Sequence, residues 1–157
     1  MYTRLMSKDD IPTWLALAHE GDDIISALIP DTAIFYRGFD DYIKMKIKNN
    51  ESFMVVDSIS DKCLGIAAYS RKNNRITFLG VFREADLEET GGKLLETLLN
   101  KLDTNREITA NVIKSDNEMI QRERRLYESF GFVKDAEIIE DGVPAFRMKR
   151  VPTVHNS

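Results

Sequence analysis

The chain has 157 residues, 43% of them hydrophobic and 31% charged, with a net charge of −4. That length suits one well-packed domain and excludes two, no stretch approaches the roughly 20 apolar residues of a membrane span, and the acidic balance argues against a nucleic-acid binder, which carries a basic face. The only cysteine, Cys63, excludes an intrachain disulfide; with no signal pattern in Met1–Met6, the expected compartment is a reducing cytoplasm.

Taken in chain order, Tyr2–Met6 mixes apolar and polar residues as a short first strand. Asp9-Asp10-Ile11-Pro12 opens a helix, with acidic caps and a proline in the first turn. Ile11, Trp14, Leu15, Leu17 and Ala18 give it an apolar face to about Glu20, and Gly21 ends it. Ile24, Ile25, Leu28 and Ile29 predict a short helix stopped by Pro30. Phe39–Lys48 reads as a third helix. Phe53–Val56 and Leu64–Tyr69 form a hairpin across a turn at Ser58–Lys62. Arg75–Phe82 adds another strand.

Leu94, Leu95, Leu98, Leu99 and Leu102 recur on one helical face. Ile108–Ile113 is a strand, and Asn117–Ser129 is a helix ending at Gly131. Phe132–Ile139 and Ala145–Arg150 close the sequence as a hairpin about an Asp141-Gly142 turn. Residues 1–150 are thus expected to make one domain, with 151–157 a frayed tail. The order β, α, α, α, β, β, β, α, β, α, β, β predicts an α/β (α+β) chain with a mixed sheet and helices on its faces.

Two stretches carry chemistry. In the first, Val81 to Leu95, a strand runs through a loop into Gly91-Gly92 and the leucine-rich helix. A helix start exposes amides without partners, glycines let an anion approach them, and the helix dipole favours negative charge there. The amides of Gly91, Gly92 and Lys93 are therefore a candidate pyrophosphate cradle; the alternative is a plain helix start with a flexible entry. In the second, Leu126-Tyr127-Glu128-Ser129-Phe130-Gly131-Phe132, Tyr127 places a phenol near a helix end. The alternative there is a set of core aromatics around a glycine cap. Arg122, Arg124 and Arg125 precede it, either as a solvated face paired with Glu118, Glu123 and Glu128 or with one of them reaching a phosphate. His19 and His155 are isolated, no metal-ligand spacing is present, and Cys63 has no context favouring a thiolate.

Together the two stretches resemble the GNAT superfamily of acyl-CoA N-acyltransferases, over roughly Tyr2 to Arg150. In that family a strand ends in a Val-x-Pro-like segment, a Gln/Arg-x-x-Gly-x-Gly/Ala loop opens a helix, an Asn-rich turn follows, and a later helix ends in Leu-Tyr-x-x-x-Gly-Phe. Val81 to Gly91 has the first spacing, Ser115-Asp116-Asn117 sits where the Asn-rich turn belongs, and Leu126-Tyr127 to Gly131-Phe132 matches the last. Arg83 replaces the proline, Asp86 the Gln/Arg and Glu89 the first loop glycine. An acid about 7 Å from one phosphate charge costs roughly 0.6–2.4 kcal/mol at effective dielectrics of about 80 to 20.

The resemblance implies a GNAT-like, mostly antiparallel sheet of about six to seven strands flanked by about four helices. It also implies acetyl-CoA as co-substrate, without metal, and direct transfer to a primary amine of a small molecule or peptide. No nucleic-acid or membrane partner is expected, and a homodimer is left open. The implied cofactor contacts are Val81, Arg83, Glu89, Thr90, Gly91, Gly92, Lys93 and Asn117. Tyr127 takes the family's general-acid position. Asp116, Glu51 or a water chain are the candidate bases, with none favoured, and Asp22, Asp23 and Asp40 either attract a cationic amine or cap helices. Two function classes follow: an active N-acetyltransferase, or a degenerate domain that binds CoA weakly and senses a ligand or docks a partner.

Overall fold

The computed structural model describes residues 1–152; the last five positions of the expected tail, and with them His155, lie outside the described residues. The elements run β1 (Tyr2–Leu5), a 3₁₀ turn (Lys8–Asp10), α1 (Ile11–His19), α2 (Asp22–Leu28), α3 (Thr32–Phe35), α4 (Phe39–Lys48), β2 (Ser52–Val56), β3 (Cys63–Ser70), β4 (Arg75–Val81), α5 (Leu87–Lys101), β5 (Ile108–Ile113), α6 (Glu118–Ser129), β6 (Val133–Glu140) and β7 (Val143–Arg150).

The strands form one sheet of order β1-β2-β3-β4-β5-β7-β6. Every neighbouring pair is antiparallel except β4–β5, which is parallel. The expected mixed, mostly antiparallel sheet is present.

Period-two alternation sorts the core. Phe53 and Val55 of β2 join the layer under α5 and α6, with Leu94, Leu95, Leu98 and Tyr127. Met54 and Val56 face the other way, against Trp14, Leu17 and Ile43 of α1 and α4. Strand β2 is buried on both faces, which explains why its sequence is a continuous apolar run. Each fully buried leucine of α5 contributes about 1.5–3 kcal/mol.

Local chemistry fixes the element ends. Ser7 and Asp10 form a reciprocal capping box before α1, and Asp10 also takes two hydrogen bonds from Arg4 at 2.9 Å. Ile29 is extended at φ −137°, ψ 146°, as the residue before a proline must be, and α2 stops there. The short α3 escapes the sequence reading because it holds only one helical turn; Asp31 caps it by accepting the Ala33 N–H. At the β6–β7 turn, Asp141 and Gly142 both take positive φ, which is the type I′ geometry that an Asp-Gly pair favours.

Candidate active site

Strands β4 and β5 pair only at Arg75↔Thr109, where both begin. Beyond that point they diverge, and a cavity of about 570 Å³ opens between them. One wall is β4 from Arg75 to Val81; the other is built from Asn111 and Ile113 of β5 and the Met119-to-Tyr127 face of α6. Residues of α1, α2, the α3–α4 turn and the β6–β7 hairpin close its far side.

The β4 wall presents unpaired backbone. The Phe82 N–H donates to Leu64 O at 2.9 Å, and Val81 lies opposite Gly65. In an antiparallel pair the hydrogen-bonded and free positions alternate, so the amides of Val81 and Leu79 turn away from β3 and into the slot. With β5 splayed off, they have no strand partner there.

On the opposite wall stands Tyr127, the sequence's candidate acid. Gly131, at φ +91°, ends α6 and folds Phe132 back, so that the two rings meet edge-on with centroids 5.3 Å apart. Tyr127 lines the slot and is only 2% exposed. Burial, reinforced by the Glu123 carboxylate one turn earlier, pushes its phenol well above the ordinary tyrosine range. The hydroxyl therefore holds its proton until chemistry demands it.

The glycine pair is a correction to the sequence reading. Helix α5 begins at Leu87, not at Gly91, with Asp86 as its cap. The amides of Gly91, Gly92 and Lys93 are thus inside the helical ladder and are not a pyrophosphate cradle. Asp86 sits where the family loop carries Gln or Arg, and its carboxylate accepts the Glu89 N–H at 2.7 Å. The first turn supplies its own anion, which is why a segment short of loop glycines closes into helix. A Cβ on Gly91 would overlap Leu126, whereas one on Gly92 would meet open space. Gly91 thus serves the close approach of α5 to α6. Thr90 is buried against Gly65, away from solvent.

Other expected contacts are engaged elsewhere. The Arg83 N–H donates to Glu20 at 2.9 Å and its guanidinium to Asp23 at 2.6 Å, which ties the β4–α5 loop to α1 and α2. Asn117 caps α6 by accepting the Met119 N–H. Arg122 reaches across to Glu88 on α5, 3.0 Å from Nε, and holds that carboxyl below its usual range. Arg124 pairs with Glu128 and Arg125 with Glu118; Arg125 is the exposed one of the two, while the Arg124 Nε is buried. Asp22 is bound by His19 and Tyr36, and Asp23 by Arg83. Among the expected bases, Glu51 is held by Lys46 and the Arg71 N–H. Burial pushes the Cys63 thiol up to about 11, which suits a packing role.

Sequence reasoning missed the polar floor of the slot. Asn111 donates to Glu140 at 2.6 Å while its own Oδ1 is buried without a partner. Arg75 approaches Glu140 at 3.9 Å, and the hydroxyls of Tyr42 and Thr77 share a hydrogen at 2.6 Å. Nothing local marks these residues, since they come from α4, β4, β5 and β6, elements far apart in the sequence. Glu123, read from sequence as an ion-pair partner on an exposed face, lines the slot instead. Among the described residues no group of three or more His, Cys, Asp or Glu is placed to hold a metal, and no helix is long and apolar enough to cross a membrane.

Comparison with known proteins adds the family. The model of an acetyltransferase (GNAT) domain matches residues 29–152. No curated protein matches by sequence. Among solved structures, the chain is similar to a GNAT-family acetyltransferase from Bacillus cereus at 15% identity, with a TM-score of 0.67 and 98% of each chain covered. It is similar to yncA of Salmonella typhimurium, solved with its cofactor acetyl-CoA, at 14% identity and a TM-score of 0.68, covering 99% of this chain and 96% of that one. It also resembles a chain of the NatC complex bound to Gag peptide and CoA, at 16% identity and a TM-score of 0.59, covering 97% and 98%. At such identities these likenesses concern the fold alone.

Proposed function

The chain belongs to the GNAT acetyltransferase family, whose co-substrate is acetyl-CoA, and we propose that it transfers the acetyl group to a primary amine of a small molecule or peptide by direct attack. The observation that carries this reading is the slot itself. One wall offers the unpaired amides of Leu79 and Val81, and the other offers the protonated phenol of Tyr127.

The slot residues fit the thioester arm of acetyl-CoA. That arm is a chain of amides, and the free edge of β4 is a row of complementary backbone groups. The diphosphate end fits less well, because Asp86 already occupies the Glu89 amide. Bound there, the co-substrate supplies an activated acyl carbon with a thiolate leaving group.

The protein's part has three elements. The Val81 or Leu79 N–H stabilises the negative charge that grows on the carbonyl oxygen, as a preorganised donor in a site shielded from water. The slot holds the amine against the acyl carbon, so that attack becomes effectively unimolecular. Tyr127 donates its proton to the sulfur as the C–S bond breaks. A phenol with a raised pKa is a weak acid, so this transfer requires that Tyr127 be reprotonated from within the slot as it gives up its proton.

The acceptor enters from the side of α1, α2 and the β6–β7 hairpin, where Glu20, Glu140 and Asp141 line the cavity. These acids, together with the unpartnered Asn111 Oδ1, favour a ligand that arrives with N–H donors. A structural neighbour bound to a peptide and CoA is consistent with a peptide amine as well as a free one.

One observation favours the second class, a domain that holds CoA weakly and acts as a sensor or docking module. It is the Asp86 cap on α5, which removes a phosphate donor and adds a negative charge. The two readings separate in one assay. The purified chain is incubated with acetyl-CoA and a set of primary amines (lysine, spermidine, and a short peptide with a free N-terminus). Thiol release that depends on the amine, with the product heavier by one acetyl group, supports the enzyme. Binding of acetyl-CoA without any acetylated product supports the module.

A further inference from the structure

We propose that Glu123 is the group that takes protons from the acceptor nitrogen. This rests on the acyl-transfer reading and names a base for it.

Glu123 and Tyr127 are four residues apart on α6, so their side chains rise from the same helix face, one turn from each other. Both line the slot between β4 and β5. The other acids of this helix face their own cations: Glu118 is held by Arg125 and Glu128 by Arg124. Glu88 on α5 takes Arg122. Glu123 makes no ion pair and no hydrogen bond with any described residue, and its carboxyl group is left unpaired on the wall of a mostly apolar cavity.

The surroundings tune it. Burial pushes Glu123 up to about 7, with no cation close enough to bring it down. The other charged groups on the cavity wall are Glu20, Arg37, Arg75, Arg83, Glu140 and Asp141. Arg83 is committed to Asp23, and Arg75 leans on Glu140. A base with this pKa is half ionised near neutral pH, where it is strong enough to accept a proton and weak enough to pass it on.

The proton count closes. An acceptor that arrives as an ammonium must lose two protons to become an amide. Glu123 takes the first and releases it to water, which frees the nitrogen lone pair to form the C–N bond. The C–S bond then breaks with its electron pair on sulfur, and sulfur receives the Tyr127 proton. Glu123 takes the second proton from nitrogen and returns it to the Tyr127 oxygen one helical turn away. One proton leaves to solvent per turnover, and both side chains end as they began. This also supplies the reprotonation that the raised Tyr127 requires.

The test compares wild type, Glu123→Gln and Glu123→Asp with acetyl-CoA and the amine panel, over pH 5.5–9, alongside calorimetric binding of acetyl-CoA. The wild type should show an acid limb in kcat/KM near pH 7. Gln should lower kcat by about 10²-fold or more and abolish that limb, with acetyl-CoA affinity unchanged within about threefold. Asp, which keeps the carboxylate on a shorter arm, should retain the limb with part of the rate. If Gln keeps kcat within about twofold of an active wild type, or keeps the limb, Glu123 is not the base. A wild type that acetylates no amine overturns the acyl-transfer reading itself, and the base with it.

Discussion

Asp86 Oδ1 accepts the backbone N–H of Glu89 at 2.7 Å, so the anion at the mouth of α5 is a side chain of the protein itself. The helix dipole and the orphan amides that would grip a diphosphate are partly satisfied before any ligand arrives. The slot beside them stays open. The affinity for acetyl-CoA should therefore come mostly from the thioester arm, and the cap should act against it.

Replacing Asp86 with Asn keeps a capping oxygen and removes the charge. At the effective dielectrics that suit a surface site, this should tighten acetyl-CoA binding by about 3- to 50-fold, as read by calorimetry at constant ionic strength. The gain should shrink with added salt. Asp86→Ala should cost about 1 kcal/mol of folding stability through loss of the cap.

The two glycines of α5 should answer oppositely to alanine. Gly92→Ala meets open space inside a helix and should stabilise the fold by about 0.5–1 kcal/mol. Gly91→Ala drives a methyl into Leu126 and should destabilise it by about 1–3 kcal/mol. Urea titrations of the two variants decide the point. Equal losses at both positions would restore a non-helical phosphate loop.

Tyr127→Phe removes one oxygen from a packed ring and leaves the edge-on contact with Phe132 in place. It should lower kcat by about 10²–10⁴-fold with little change in acetyl-CoA affinity. An unchanged kcat would strip Tyr127 of its role as acid.

Glu123 should also show itself in stability. Its carboxyl titrates at about 7 in the fold, against an ordinary value near 4.5. The folded state thus binds more protons between those values, and stability falls as pH rises from about 4.5 through 7. Glu123→Gln removes this penalty and should stabilise the protein by roughly 1–3 kcal/mol at pH 8 and by little at pH 4.5. Thermal unfolding at the two pH values reads the difference. A residue whose loss strengthens the fold and weakens the reaction is one held for chemistry.

Much of the fold was legible in the sequence, because the decisive signals were local. The leucine spacing of α5, the Asp141-Gly142 turn and the Pro30 stop each name an element without help from distant residues. The site was legible in part. Tyr127 and Val81, each singled out in its own stretch of sequence, both line the slot between β4 and β5. The start of α5 was misplaced because glycines invite a loop reading, while Asp86 and the acids after it supply a cap and dipole partners that start the helix at Leu87, ahead of Gly91. The polar floor of Asn111, Arg75 and Glu140 was invisible, since strands far apart in sequence assemble it. Glu123 sat among arginines and read as one more surface ion pair. Only the i,i+4 spacing to Tyr127 marked it, and that spacing acquires meaning once the face toward the slot is known.

The claim on which the rest stands is that the open edge of β4 receives the acyl donor. Titrating acetyl-CoA into ¹⁵N-labelled protein and following the backbone amides tests it most directly. Saturable shifts centred on Leu79 and Val81, with Ile113 moving on the facing strand, are the expected result. Silence of those amides at millimolar acetyl-CoA, or saturable shifts confined to a surface away from the slot, would contradict it.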